Sequence, residues 1–368
     1  MIENRIVNFI TESELRILPI AQAETIPSSW YTEEAVYEFE LNNLFNTSWQ
    51  IVGHTDQLKK IGDYFLFDLA GIPIIIIKDE NDIRAFYNVC RHRGGPLAFE
   101  TGNTNLLQCK YHGWTYKLDG SLHKHPKFQD VEGFDKNDFC LNILHIIIWE
   151  GLIFIALEYP AVKTSDLLSG IKEKIAPINI SKYNFYRRVE YKINCNWKVY
   201  VDNYLEAYHL PFVHPGLSKV LNAKEYTTET SEHYSLQYSP LQANEIYGKG
   251  EAYYYFIFPN IMLNILPGRL QTNIVLPLSK NQSLVIFDYY FDNVTSPDSV
   301  KRIEKDISFS DEVQKEDIMI CEKVQKGLES KGYDKGRFSP QEEMGVYHFQ
   351  ALLKSFYSTA LHIFPDRS

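Results

Sequence analysis

The chain has 368 residues, 45% of them hydrophobic and 23% charged, and carries a formal net charge of -10. These proportions are those of ordinary globular proteins and exclude a disordered or fibrous chain, while the length exceeds the roughly 250 to 300 residues at which single cores stop growing, so two domains are expected. The negative balance disfavours a nucleic-acid binder, which needs a basic footprint to release counterions from phosphate, and it disfavours attraction to anionic membranes.

Residues 1–38 read as a leader with helical patches, and within TEEAVYEFELNNLF Thr32 is placed to cap a helix beginning at Glu33 and Glu34. The opening MIENRIVNFITESELRIL mixes charges of both signs and lacks a cationic start, an apolar stretch and a small-residue cleavage site, so a cytoplasmic location is expected. From Trp49 to about Tyr159 short apolar runs are broken by Gly, Asp, Asn and Pro, which predicts a small antiparallel β domain, bounded at 39–160, with Asp119-Gly120 in a hairpin turn. The longest apolar runs, GIPIIII at 71–77 and ILHIIIW at 143–149, fall far short of the roughly 20 residues that cross a bilayer, so buried strands are expected there and no membrane span. After Pro160 come a helical stretch, DLLSGIKEKI, and a strand that hands over to a helix near Trp197. Residues 253–293 return to strands, and RIEKDISFSDEVQKEDIMICEKVQKGLESKGY has helical periodicity ending near Gly332. The second domain, 161–368, is therefore expected to be α+β, with helices around an antiparallel sheet.

Five cysteines without an export signal point to a reducing compartment, with metal ligation or core packing as their uses. CRHRGGPLAFETGNTNLLQCKYHGW contains a C-x-H pair, Cys90 and His92, and a C-x-x-H pair, Cys109 and His112, each on a turn between strands. Two loop tips that each give one thiolate and one imidazole match a Rieske [2Fe-2S] cluster, in which one iron takes two cysteines and the other two histidines. Zinc uses the same four side chains and stays open as an alternative, although zinc fingers pair like with like. Gly94, Gly95 and Gly113 permit the tight turns and close backbone approach that a cluster loop needs. Cys140, Cys195 and Cys321 stand alone and read as small buried residues. Arg91, Arg93 and Lys110 surround the four donors and form a candidate docking patch for an acidic redox partner, against the plainer reading of scattered solubilising charge.

A second set lies in DNYLEAYHLPFVHP, where His209 and His214 are five apart. Five is no helical repeat, so Pro211 is expected to loosen or end a helix between them and let both imidazoles converge. Packing in an aromatic stretch explains the pair equally well. Glu206, three residues before His209, falls on the same face if the segment is helical.

C-x-H-R-G followed by C-x-Y-H-G-W-x-Y-x-x-D-G, then N-W-K and D-N-Y-x-E-x-Y-H-x-x-x-x-H, resembles the α subunits of Rieske-type non-heme iron oxygenases. The resemblance is nearest to the choline monooxygenase and the carnitine and glycine betaine oxygenase-like group. It implies an N-terminal Rieske β domain, a helix-grip-like α+β catalytic domain on which the leader packs, and a homotrimer. It further implies a [2Fe-2S] cluster on Cys90, His92, Cys109 and His112, and a mononuclear Fe(II) on His209, His214 and a distant Asp, with O2 as co-substrate. EDIMICEKVQKGL matches the region of that third ligand, placing Asp317 at the position, with Glu316, Asp311 and Glu312 as neighbouring competitors. By the same resemblance Glu206 occupies the place of the carboxylate that carries electrons between subunits. No GxGxxG fingerprint precedes a helix, so a separate reductase or ferredoxin is expected to supply the electrons.

The resemblance also implies a small quaternary or methylated ammonium substrate such as choline, which aromatic faces attract. Tyr204, Tyr208 and Phe212 flank the expected iron ligands, and Tyr253, Tyr255 and Phe258 lie on a strand segment that can face the substrate. Alternation puts Tyr253 with Tyr255 on one face and Tyr254 with Phe256 on the other. An aromatic-ring dioxygenase is the rival expectation, and a Rieske electron carrier without catalysis is the rival of another class.

Overall fold

The structure is a computed structural model that describes residues 10–221, 225–242 and 247–363; residues 1–9 of the expected leader lie outside them. The chain divides into two units, Trp49–Pro160 and the combination of Met1–Ser48 with Ala161–Ser368.

In Trp49–Pro160 ten short strands form three antiparallel sheets. These are β1 (Gln50–His54), β2 (Asp63–Leu69), β3 (Ile72–Lys78), β4 (Ile83–Tyr87), β5 (Gly102–Asn103), β6 (Leu107–Gln108), β7 (Thr115–Tyr116), β8 (Leu122–Lys124), β9 (His145–Trp149) and β10 (Leu152–Ala156), in the orders β1-β10-β9, β4-β3-β2-β5 and β6-β7-β8. The isoleucine run forms β3, which β2 and β4 flank on both sides, and this central position is why it reads as unbroken apolar sequence. The other long run departs from expectation. As β9 it is an edge strand, paired with β10 alone, and it leaves Ile148 half exposed. Asp119-Gly120 does make the hairpin between β7 and β8, where Gly120 has φ +87° and donates to Lys117 O at 3.0 Å.

The second unit is built on one seven-stranded antiparallel sheet. Its strands are β11 (Asn184–Ile193), β12 (Thr227–Thr230), β13 (Tyr234–Pro240), β14 (Glu251–Ile257), β15 (Ile261–Leu266), β16 (Arg269–Ser279) and β17 (Gln282–Phe291), in the order β11-β17-β16-β15-β14-β13-β12. The helices that matter to the site are α1 (Glu34–Phe39), α2 (Trp197–Tyr204), α3 (Leu210–Val213), α4 (Pro297–Leu328) and α5 (Met344–Ile363). Polar contacts seat α4 on the sheet: Arg269 Nη1 donates to Asp306 at 2.7 Å, Tyr289 Oη to Ser310 Oγ at 3.0 Å, and Tyr191 Oη to Asp311 at 2.9 Å. No helix of the described residues is long and apolar enough to cross a membrane.

Several local expectations are corrected. Thr32 caps nothing: it closes the preceding turn, donating to Ser28 O, and α1 starts from Glu33 without a side-chain cap. DLLSGIKEKI is two short helices, interrupted at Gly170 with φ +76°. Residues 39–48, expected to open the β domain, belong with the second unit, because Phe39, Leu44 and Phe45 are buried in its core and Phe45 sits edge-on to Trp197 at 5.1 Å. Helix α5 was not anticipated, although its buried Val346, Phe349, Leu353, Tyr357 and Ala360 recur at helical spacing.

One buried charge ties these segments together. Glu40, in the π-helical turn after α1, accepts from Lys198 Nζ at 2.7 Å and from Trp197 Nε1 at 2.8 Å, both on α2, and from the hydroxyl of Tyr357 on α5. Lys198 is fully buried, and burial lowers its pKa while Glu40 opposes that fall. Glu40→Ala leaves the ammonium without its partner and is expected to cost about 3–5 kcal/mol, read as a lower urea midpoint for the unit that carries α2 and α5.

Candidate metal centres

The β-domain donors come from two loops with the same local design. Cys90 and His92 follow β4, and Cys109 and His112 follow β6. In each loop the glycine four residues after the cysteine donates back to that cysteine's carbonyl, Gly94 to Cys90 at 2.9 Å and Gly113 to Cys109 at 3.0 Å. Both glycines have positive φ, +74° and +77°, a conformation that costs other residues strain. Gly95 lets the loops meet, since a Cβ there would stand 3.0 Å from Cys109 Sγ. The rings of His92 and His112 come within 4.7 Å, and His92 stacks on Trp114 at 4.9 Å.

The chemistry of this donor set fits a metal group. Cys90 and Cys109 are buried, and burial pushes the Cys90 thiol above its ordinary pKa, so its thiolate needs a compensating cation. His92 Nδ1 is buried with no hydrogen-bond partner among the described residues. Tyr116, which sequence reasoning gave no role, lies with its hydroxyl 3.2 Å from Cys90 Sγ. Burial raises the pKa of that hydroxyl, which keeps it a donor, and hydrogen bonds to ligating sulfur are one of the levers on cluster potential. Arg91, Arg93 and Lys110 are all exposed around the loops.

In the second unit, three donor atoms from His209, His214 and Asp317 lie within 4.8 Å of one another, the one such group found among the described residues. His214 Nε2 is 2.9 Å from Asp317 Oδ1, and His209 Nε2 is 3.8 Å from the same oxygen. Asn203 Nδ2 holds that oxygen at 2.6 Å. The opposite nitrogen of each ring meets a glutamate: His209 Nδ1 lies 2.6 Å from Glu206, and His214 Nδ1 lies 2.6 Å from Glu316. A carboxylate on Nδ1 keeps the proton there and turns the Nε2 lone pair towards a metal. Burial disfavours the charged form of His214, but Asp317 and Glu316 outweigh it and raise its pKa, so the site calls for positive charge.

The backbone route to this geometry differs from expectation. Helix α2 ends at Tyr204, before either histidine, so Glu206 and His209 do not share a helical face; Glu206 instead reaches both the N–H and Nδ1 of His209 across a turn. Pro211 lies in the first turn of α3, where its missing N–H costs nothing, so it starts a helix that His209 and His214 bracket. Among the acidic neighbours of Asp317, Glu316 pairs with His214 Nδ1, Asp311 pairs with Lys315 at 2.6 Å, and Glu312 is exposed.

A cavity opens beside the triad, lined by the rings of Tyr204, Tyr226, Tyr254, Phe287 and Phe309. Of the six aromatic residues expected to meet substrate, Tyr204 alone lines it. Tyr208 and Phe212 are 54% and 80% exposed, because the turn around His209 directs them outward. The alternation along β14 holds, but the cavity takes the face of Tyr254, not that of Tyr253 and Tyr255, which pack on Tyr238 at 5.4 Å and Tyr234 at 5.7 Å. Phe258, past the end of β14, packs 6.3 Å from Phe349.

A β domain bearing paired thiolates and imidazoles, in one chain with an α+β domain that converges two imidazoles and a carboxylate, has the plan of an oxygenase with two iron centres. The family model described as the Rieske [2Fe-2S] domain matches residues 48–135, and that described as the ring hydroxylating alpha subunit (catalytic domain) matches residues 180–239 and 237–359. The chain is 37% identical over 366 residues to the chloroplastic choline monooxygenase of Arabidopsis thaliana, covering 95% of this chain and 86% of that protein. It is 32% identical over 351 residues to the carnitine monooxygenase oxygenase subunit of Escherichia coli (strain K12), covering 90% and 93%. A solved structure of a quaternary ammonium Rieske monooxygenase superposes with a TM-score of 0.85 at 32% identity, covering 93% of this chain and 99% of the other. The chain belongs to the Rieske non-heme iron oxygenases: it is an oxidoreductase of the monooxygenase kind, with a [2Fe-2S] cluster and non-heme iron as cofactors.

The Glu316 contact makes a specific demand. Glu316→Ala is expected to weaken iron retention about 10- to 100-fold, measured by competition with a chelator, while Glu312→Ala leaves it unchanged.

Proposed function

We propose that this chain is the terminal oxygenase component that hydroxylates a small quaternary or methylated ammonium compound such as choline. The observation that carries the reading is the cavity itself, walled by aromatic rings and ending at two imidazoles and a carboxylate. Burial raises the pKa of Tyr204, Tyr226 and Tyr254, so these rings stay neutral phenols and offer faces to a cation. The similarity to choline and carnitine monooxygenases supports the same substrate class.

In this reading Cys90, His92, Cys109 and His112 hold the cluster, and His209, His214 and Asp317 hold the mononuclear iron. When bound, the cluster would supply electrons singly and the iron would supply oxygen activation beside the substrate, so that with two electrons and two protons one atom of O2 would enter a substrate C–H bond and the other would leave as water. The protein supplies orientation. Glu206 and Glu316 fix the two imidazoles, Asn203 fixes Asp317, and Gln237 braces the aromatic wall by donating to Tyr204 O at 2.8 Å while accepting from Tyr226 Oη at 2.9 Å. A separate reductase or ferredoxin provides the electrons, docking on the exposed Arg91, Arg93 and Lys110. Glu206 carries them onward between subunits of a homotrimer, a role supported by its bond to His209 and by a solved relative described for inter-subunit electron transfer.

Two measurements test this. Iron analysis should give three irons per chain, falling to two in Asp317→Ala with the cluster's visible absorption intact; a chain that holds two from the start is an electron carrier. Reductase-coupled oxygen uptake should rise with choline, carnitine or glycine betaine, and a response to a monocyclic aromatic alone would move the protein to the ring dioxygenases.

A further inference from the structure

The same cavity has a polar side that the aromatic wall does not explain. Asp306, Ser310, Gln314 and Asp317 follow one another on α4 at spacings of four, four and three, which places them on one face of that helix. All but Asp306 line the cavity, and Asp306 grips Arg269, which lines it from β16. Arg269 and Gln314 are 5% and 1% exposed.

The donor inventory of these two side chains does not close. Arg269 spends Nη1 on Asp306 and on Tyr247 Oη, each at 2.7 Å, and Nη2 on Gln271. Its Nε is buried without a partner among the described residues. Gln314 accepts from Tyr200 Oη at 2.6 Å through Oε1, and its Nε2 is likewise buried and unpartnered. Buried donors left unmade cost about 1–3 kcal/mol each, and native structures contain few of them. Both orphans are donors, and both belong to residues of the cavity that ends at the metal-binding triad. Neither can contact a methylated nitrogen favourably, since that group offers no lone pair and repels a guanidinium.

We propose that Gln314 and Arg269 form a recognition site for an acceptor oxygen, hydroxyl or carboxylate, carried by the substrate beyond its methylated nitrogen. The proposal rests on the ammonium reading above and adds the second half of the ligand. Gln314 is three residues from Asp317, roughly one helical turn, so an oxygen held there sets which carbon lies nearest the triad. Rings attract the cation without fixing its direction, whereas a hydrogen bond at one end fixes it. Gln314 and Arg269 are therefore specificity-determining residues.

The test uses the oxidised holoenzyme without reductant, so that no turnover occurs, and equilibrium dialysis with three probes: choline, glycine betaine and tetramethylammonium, the last of which has no oxygen. Wild-type protein should bind choline and glycine betaine more tightly than tetramethylammonium. Gln314→Leu should weaken choline about 2- to 10-fold and glycine betaine about 10-fold or more, because bonds to charged acceptors are the stronger, and leave tetramethylammonium unchanged. Gln314→Glu keeps an acceptor for Tyr200 and so guards against misfolding; it should narrow the same affinity ratio. Loss confined to choline assigns the site to a hydroxyl, and loss confined to glycine betaine assigns it to a carboxylate. An unchanged ratio in both variants, with all three probes still bound, overturns this proposal and leaves the ammonium reading standing. Failure of wild-type protein to bind any of the three overturns the ammonium reading itself.

Discussion

An imidazole has two nitrogens, and only one can be turned towards a metal while the other keeps its proton. The second unit meets that constraint twice, at His209 and at His214. Glu206 and Glu316 take the Nδ1 side of His209 and His214, so both Nε2 atoms face Asp317. The two glutamates reach this role by different routes. Glu206 is local, three residues from its histidine, whereas Glu316 comes from α4, 102 residues away in sequence. The triad therefore exists only if α4 is correctly seated, and the buried pairing of Asp306 with Arg269, the bond from Tyr289 to Ser310 and the bond from Tyr191 to Asp311 set that seat.

Helix α4 thus combines several duties along one surface. Asp306 anchors it to β16, Ser310 meets Tyr289, Gln314 receives Tyr200, and Asp317 closes the triad. A helix delivers such a stripe cheaply, because residues three and four apart already share a face. The β domain solves a different problem with a repeated loop. Two glycines of positive φ turn the chain back so that each loop presents a thiol and an imidazole together, and Gly95 removes the side chain that would hold the loops apart.

Burial decides the chemistry of the polar groups as much as proximity does. Glu40 and Lys198 are tolerable inside the core because Trp197 and Tyr357 satisfy the remaining carboxylate valence. The cavity phenols stay neutral because burial disfavours their anions. Beside the triad the unsatisfied polar groups, Arg269 Nε and Gln314 Nε2, are both donors, and that asymmetry gives the cavity a direction.

The sequence by itself pointed to the cofactors and the class of enzyme through its resemblance to the Rieske oxygenases, which C-x-H, C-x-x-H and H-x-x-x-x-H carry as short-range patterns whose geometry local turns nearly complete. It also determined the alternation along β14 and the hairpin at Gly120, both consequences of backbone stereochemistry. It did not determine which face of β14 meets the cavity, and Tyr254 took the place expected for Tyr253 and Tyr255. Nor could it separate Asp317 from Glu316 without a resemblance, or show that Pro211 begins a helix instead of ending one. Those outcomes turn on long-range packing: a strand's two faces are equivalent until a sheet partner and a helix choose between them. Adjacent carboxylates on α4 likewise take different roles only when the histidines arrive from another part of the chain.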